Sequence, residues 1–245
     1  MQIVILCGGQ ATRIHHIIGN TPKVLAQVNG MPFFNYLLNF IIRSKIITKI
    51  TLLTGSGSEY IESYLMEKHI NSLIPITILK DKSKNQGTSL AIHQALEENY
   101  LDKEFILSYG DSLPSLDITN FARAGRSSGS NIYFSFINPT LVHEQARMEV
   151  DGVRVKYISD LEHHDTAQLS KLFIDYGVYY IRMNQKLRIL LKNQSDLKNV
   201  FALFSKENTC FGEEILTPFI EIGNPASFAR AQEKLKGADV DDFVF

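Results

Sequence analysis

The sequence predicts an α/β protein, a Rossmann-like three-layer α/β/α arrangement on a mostly parallel, mixed sheet, folded as a single domain. Three observations predict it. The chain opens on a short, almost wholly apolar run at residues 2–6 that stops at two adjacent glycines, Gly8 and Gly9, which is the profile of a strand buried on both faces. Runs of that kind then alternate with segments whose apolar residues recur at helical spacing, the pattern of parallel strands joined by crossover helices. The glycine- and aspartate-bearing segments fall at the carboxyl ends of those strands, where open α/β sheets bind their ligands. With 245 residues, 44% of them hydrophobic, the chain is long enough to bury one large core.

The elements follow in order. Asn29-Gly30 marks a turn, and Pro32 fits a first helical turn, where its missing N–H costs nothing. Phe33, Phe34, Leu37, Leu38, Ile41 and Ile42 recur at helical spacing and predict a core-facing helix. Residues 49–54 (KITLLT) form the second expected strand, broken by Gly55-Ser56-Gly57-Ser58, with Ser58 as N-cap of a helix carrying Ile61, Tyr64 and Leu65. Residues 75–79 then read as a strand, 87–99 as a helix with Thr88 as N-cap, 104–108 as a strand and 117–124 as a helix. From residue 131 the pattern changes. Residues 131–137, 147–150 and 153–158 read as strands, the last two joined at Asp151-Gly152, a strong hairpin signal. Residues 172–181 add another strand, and the stretch to 217 reads as mixed helix and loop. Asn224 and Pro225 are expected at the N-cap and first position of a closing helix with Phe228, Ala231 and Leu235 inward. The acidic tail from Gly237 docks through Phe243 and Phe245 or frays.

Composition excludes several classes. Lys and Arg number 25 against 26 Asp and Glu, so no global field gathers nucleic acid or an anionic membrane, and any anion is held locally. The two cysteines, Cys7 in the first strand and Cys210, lack metal-ligand spacing and fit a reducing, cytoplasmic setting. No segment approaches the roughly 20 apolar residues of a membrane span, and the amino terminus lacks the basic flank of a signal peptide. A soluble protein without a targeting segment is expected, and a homo-oligomer is left open.

The loop after the first strand carries the chemistry. Two glycines let the backbone turn tightly and approach a ligand closely, with N–H groups free to face phosphate oxygens. Arg13 and Lys23 add positive charge ten residues apart, and Pro22 stiffens the approach to the lysine, so both can reach one polyphosphate. Neither GxxxxGK[ST] nor GxGxxG follows the strand. An ordinary strand-turn-helix junction with a surface Arg and Lys is the alternative for a lone double glycine. The run Gly8-Gly9-Gln10-Ala11-Thr12-Arg13 followed by Pro22-Lys23 resembles the signature of the sugar-1-phosphate nucleotidyltransferases, which usually have glycine where Ala11 stands. The N-terminal half is similar to the heptose-1-phosphate guanylyltransferase group.

That resemblance extends to three later elements. Gln86-Gly87-Thr88 opens a helix, so its N–H groups and dipole can face an anion or base edge; a plain glycine turn is the alternative, and uridylyl-transferring relatives carry a similar element that contacts the nucleobase. Tyr109-Gly110-Asp111 shows a carboxylate at a strand end beside a glycine, a reasonable magnesium ligand when phosphates supply other oxygens, and the family's Gly-Asp pair implies that role for Asp111. Phe173-Ile174-Asp175-Tyr176-Gly177 resembles an Asp-Tyr-Gly element lining the sugar pocket, which implies acceptor contacts from Tyr109, Asp175, Tyr176 and Gly177. Glu221 in Ile220-Glu221-Ile222-Gly223-Asn224-Pro225 matches the second metal acid of the family's Asp-x-Gly-Thr-Pro stretch, one methylene longer. The Glu-Lys-Pro that follows the hairpin in many relatives is replaced by Ile158-Ser159-Asp160-Leu161. Lys156, Arg147 and Lys171 are its candidate substitutes. His163, His164 and Asp165 read as a solvated loop, since adjacent histidines point apart.

By this resemblance, residues 1 to about 130 are the nucleotide-binding half, with Leu6, Gly8, Gly9, Ala11, Thr12, Arg13, Lys23, Gln86, Gly87, Thr88 and Gly110 on the nucleotide. Residues 131 to about 225 are the acceptor half, and 226–245 the closing helix and tail. The implied reaction joins a nucleoside triphosphate, GTP slightly favoured, to a sugar 1-phosphate, giving a nucleotide sugar for surface polysaccharide synthesis. Arg13, Lys23 and Asp111 carry it, with Mg2+ on Asp111 and Glu221. Cytidylyl or uridylyl transfer, to a sugar or a non-sugar phosphate, is the alternative. A glycosyltransferase of the same fold should show DxD after the fourth strand, and Asp111-Ser112-Leu113 does not. A nucleotide-sensing domain without turnover is a further alternative, which Arg13, Lys23 and Asp111 argue against.

Overall fold

Burial decides the first strand: β1 (Gln2–Leu6) is buried along its whole length, and its one polar side chain is satisfied because Gln2 Nε2 donates to Thr51 Oγ1 at 2.7 Å. The computed structural model describes the chain except residues 10, 69, 71–72, 84–85, 143–144, 160–170 and 238–245. Expectations on Gln10, Asp160, Leu161, His163, His164, Asp165, Phe243 and Phe245 therefore lie outside the described residues.

In chain order β1 is followed by α1 (His15–Ile18), a 3-10 turn at Lys23–Leu25, β2 (Gln27–Val28), β3 (Met31–Pro32), α2 (Phe33–Arg43) and β4 (Lys49–Thr54). Next come α3 (Ser58–Glu67), β5 (Ile76–Lys80), α4 (Thr88–Glu97), β6 (Glu104–Tyr109), β7 (Ser112–Leu113), α5 (Ile118–Ser127) and β8 (Ile132–Ile137). The chain continues with β9 (Met148–Asp151), β10 (Arg154–Tyr157), β11 (Leu172–Arg182), α6 (Gln185–Asn193) and α7 (Leu197–Glu207), then β12 (Cys210–Glu214), β13 (Ile220–Glu221) and α8 (Pro225–Lys234). Among the described residues no helix is long and apolar enough to cross a membrane. The fold is mixed α/β, and the chain divides into two compact units.

The first unit comprises Met1–Gln86, Ser108–Pro114 and Phe219–Phe245. Its strands run β5-β4-β1, all parallel, with Ile3 opposite Ile50 and Ile50 opposite Ile76. Helix α2 buries Phe33, Phe34, Leu37, Leu38 and Ile41 as its spacing requires, while Ile42 is 39% exposed at the edge of that stripe. Val28 pairs with Met31 across Asn29-Gly30, both at positive φ (53° and 80°), the two-residue turn whose twist suits a hairpin. One cap of this unit differs from expectation: Gly57, left-handed at φ 88°, precedes α3, and Ser58 is its first residue, because only glycine adopts that backbone freely. Helix α8 begins as expected, with Asn224 and Ser227 forming a capping box and Pro225 in the first turn.

The second unit comprises Gly87–Leu107 and Ser115–Pro218, with strands in the order β6-β11-β8-β12-β10-β9. Here β11 runs antiparallel to β8 and β9, and β10 antiparallel to β9 and β12, so the parallel expectation holds for β5-β4-β1 and for the β12–β8 pair. Strand β12 lies in the stretch read as helix and loop. Its central glycine and closing glutamates hide it, and Gly212 is the reason it fits, since a Cβ there would stand 2.5 Å from the Phe134 carbonyl oxygen. Phe134 lies edge-on to Phe201 (5.3 Å) and Tyr179 (5.9 Å), with Tyr157 5.5 Å from Phe201, aromatic pairs that each add about 0.5–1.5 kcal/mol beyond their burial.

Candidate active site

Three strand ends of the first unit build the cradle. Cys7 N donates to the Leu53 carbonyl at 2.7 Å and Asp81 N to that of Thr54 at 2.8 Å, so the loops after β1, β4 and β5 leave together. A Cβ on Gly55 would stand 2.9 Å from the Gly8 carbonyl oxygen, and one on Gly9 would meet nothing within 4 Å. The first glycine contact closes the cradle and the second position leaves backbone open to a ligand. Ala11 is buried at φ 55°, a left-handed backbone that glycine adopts without strain. Gly110 N donates to the Leu6 carbonyl at 3.0 Å, and a Cβ on Gly110 would stand 2.8 Å from Cys7 Sγ. That close approach seats Asp111 beside the first loop. Burial, and then the nearby Asp111 charge, push the Cys7 thiol up to about 12, so it is no nucleophile.

Charged groups of both signs meet at this loop. Lys23 Nζ donates to Asp111 Oδ2 at 2.8 Å, with the lysine side chain only 16% exposed. Pro22, buried beside it, lies where a Cβ on Gly57 would come within 3.0 Å of its ring. Strands β7 and β13 pair antiparallel, with Glu221 opposite Ser112, and Ile222 N donates to the Asp111 carbonyl at 2.9 Å. The ribbon thus brings Asp111 and Glu221 onto neighbouring strands. Arg13 reaches the same place, because a Cβ on Gly223 would stand 3.4 Å from Glu221 Oε2 and 3.5 Å from Arg13 Nη2. Asn224 Nδ2 donates to Glu221 Oε1 at 3.3 Å.

This donor set fits magnesium. Two carboxylates offer hard oxygens, and magnesium is usually held by one or two carboxylates plus substrate phosphates. Among the described residues no group of three or more His, Cys, Asp or Glu side chains is assembled to hold a metal alone. Phosphate oxygens would complete the coordination.

The sequence reading missed Asp81. Its Oδ2 lies 3.5 Å from where a Cβ on either Gly8 or Gly55 would stand, and burial pushes the carboxyl up to about 6. The signal was its position: Asp81 directly follows β5, much as Asp111 follows β6 after one glycine.

Other expected site residues are engaged elsewhere. Gln86 Oε1 accepts from Lys82 N at 3.0 Å. In the second unit, a Cβ on Gly87 would stand 2.4 Å from the Ser195 carbonyl oxygen, and Thr88 Oγ1 accepts from Leu197 N at 3.0 Å. Thr88 is therefore the first residue of α4 and Gly87 its cap. Asp175 is half-buried, accepting from Tyr157 and Tyr179 hydroxyls at 2.8 and 2.6 Å and from Gly177 N at 2.9 Å, while loss of solvent raises its carboxyl above the usual range. The Tyr176 hydroxyl donates to the Thr217 carbonyl and accepts from Ser115 N. Lys156 faces Glu149, Lys171 faces Asp151, and Arg147 donates to the Ser159 carbonyl. Tyr109, Thr12 and Gly9 belong to the first unit with the loop and ribbon.

A strand-ended glycine loop, a paired lysine and a carboxylate ribbon stand together in a mixed α/β protein. The chain belongs to the MobA-like NTP transferase domain family, whose family model matches residues 3–161. It is 29% identical over 119 residues to the D-glycero-alpha-D-manno-heptose 1-phosphate guanylyltransferase of Campylobacter jejuni, covering 49% of this chain and 51% of that protein, so the chain spans about half the length of that relative. The enzyme of the same name from Aneurinibacillus thermoaerophilus is 22% identical over 246 residues, covering 96% of this chain and 99% of that one. Its fold is similar to HddC from Yersinia pseudotuberculosis, solved in complex with GMP-PN, with a TM-score of 0.72 at 20% identity, covering 96% of this chain and 99% of that one.

Proposed function

We propose that this protein transfers a nucleotidyl group from GTP to a sugar 1-phosphate, heptose 1-phosphate being the first acceptor to try, and releases pyrophosphate. The observation that carries the reading is the Lys23–Asp111 pair, 2.8 Å apart, set between an open glycine loop and a ribbon that adds Glu221. An acceptor phosphate oxygen attacks the α-phosphorus, and the bond to the bridging α–β oxygen breaks with its electron pair leaving on pyrophosphate. A phosphate monoester is nucleophilic at neutral pH, so no general base is needed. The protein's work is positioning and neutralising charge. Arg13 holds the β and γ phosphates and Lys23 the α-phosphate, while N–H groups of the loop at Gly8, Gly9, Ala11 and Thr12 line the triphosphate. Magnesium, held by Asp111 and Glu221, supplies further neutralisation of phosphate charge when bound.

Asp81 supports guanine over the other bases. An ionised carboxylate only accepts hydrogen bonds, and guanine alone presents two adjacent donors, N1–H and N2–H, on its pairing edge. The names of the two guanylyltransferase relatives support the same base and acceptor. The test is pyrophosphate release with magnesium, each of GTP, CTP, UTP, dTTP and ATP, and a panel of sugar 1-phosphates. Release that needs both GTP and a sugar 1-phosphate is expected. Release with CTP or UTP instead would overturn the base, and silence across the panel would overturn the reaction.

A further inference from the structure

We infer that Asn224 is a positioning residue for the metal site: its side-chain amide anchors one oxygen of Glu221 so that the other faces the metal. The inference rests on the reading of Glu221 as a magnesium ligand. As a helix cap, position 224 needs only an acceptor, and Asn, Asp, Ser and Thr serve about equally well there. Asn224 Oδ1 does that work by accepting from Ser227 N at 3.0 Å, and Ser227 Oγ accepts from Asn224 N in return. The cap leaves the amide unexplained. Asn224 Nδ2 donates to Glu221 Oε1 at 3.3 Å, a hydrogen bond to a carboxylate that an aspartate cap would replace with repulsion. Glutamate carries one more torsion than aspartate, so more freedom must be removed to hold it in one orientation. With Oε1 anchored, Oε2 lies beside Gly223, where a Cβ would come within 3.4 Å of it and 3.5 Å of Arg13 Nη2. The absent side chain at Gly223 keeps that space open.

The experiment is a Mn2+ titration of the protein with GTP present, reading free Mn2+ by electron paramagnetic resonance, with melting temperatures alongside. Variants are Asp111→Asn, Asn224→Ser, Glu221→Gln and the pair Asn224→Ser with Glu221→Gln. Asn224→Ser should weaken Mn2+ binding about tenfold, the lower end of what partners of metal ligands contribute. Its melting temperature should stay near wild type, because serine also caps. In the Glu221→Gln background, Asn224→Ser should change Mn2+ affinity no further, as required of a residue acting through Glu221. If Asp111→Asn weakens Mn2+ while Asn224→Ser binds it like wild type, the inference is overturned and the metal site stands. If Asp111→Asn also binds like wild type, both are overturned.

Discussion

Lys23 Nζ donates to Asp111 Oδ2 at 2.8 Å, joining residues 88 positions apart in the chain. The cation assigned to the α-phosphate rests on the carboxylate assigned to the metal. On the proposed roles, metal and lysine would compete for one oxygen until a triphosphate offers the lysine another partner.

Lys23→Ala should accordingly act in two directions. Turnover should fall on the order of a hundredfold, the usual loss for one transition-state charge contact, with circular dichroism unchanged. Mn2+ binding without nucleotide should tighten, because Asp111 loses its competitor. Unchanged turnover would remove Lys23 from the reaction.

Asp81 gives a pH dependence. Burial raises its carboxyl to about 6 from 3.8, so the folded protein takes up this proton before the unfolded chain does. Stability from this group rises as pH falls through that interval, and above pH 6 the buried charge opposes folding in full. Asp81→Asn should raise the melting temperature at pH 8, with the gain gone by about pH 4. The same variant should lose preference for GTP over CTP by on the order of tenfold, as expected for a lost charged hydrogen bond. A gain in stability with the base preference intact would show that Asp81 does not read the base.

Much of this was legible from the chain. Strands β1 and β4, the core face of α2 and the Asn224-Pro225 start of α8 follow from local pattern, because each is decided by burial or capping within a few residues. Strand β12 was not legible, since its apolar start breaks off at a glycine and two glutamates and it exists through its pairing with β8 and the space Gly212 leaves. Arg13 and Lys23 were proposed from their charge in the loop after β1 and Asp111 from its place after β6, and the structure brings Lys23 and Asp111 into contact. Asp81 was passed over because a lone Asp after a strand also makes an ordinary turn, and only its approach to Gly8 and Gly55 sets it apart. Asp175 shows the opposite case: an aspartate entering a strand looks available in sequence, whereas two tyrosine hydroxyls and the Gly177 N–H already use it.

Asp175→Ala should therefore cost stability. It removes the carboxylate that accepts from the Tyr157 and Tyr179 hydroxyls and the Gly177 N–H, and a hydrogen bond to a charged group contributes about 1.5–3 kcal/mol. Chemical denaturation should show a loss of about 3 kcal/mol or more. A stable variant with only a raised KM for the sugar phosphate would return Asp175 to the acceptor site.

Ala11 offers a stabilising change. At φ 55° its Cβ costs about 1–2 kcal/mol, only part of which glycine returns to the unfolded chain as entropy. Ala11→Gly should raise the melting temperature by about 2 °C, the shift expected for somewhat under 1 kcal/mol in a chain of this size. A lower melting temperature would mean that the buried methyl contributes more than the backbone loses.

Transfer of the α-phosphorus to a sugar phosphate can be followed with GTP labelled at that phosphorus. Incubated with magnesium and heptose 1-phosphate, then treated with phosphatase, the label should remain in a phosphatase-resistant nucleotide sugar formed only when the acceptor is present. Label recovered entirely as inorganic phosphate, with or without acceptor, would contradict the account.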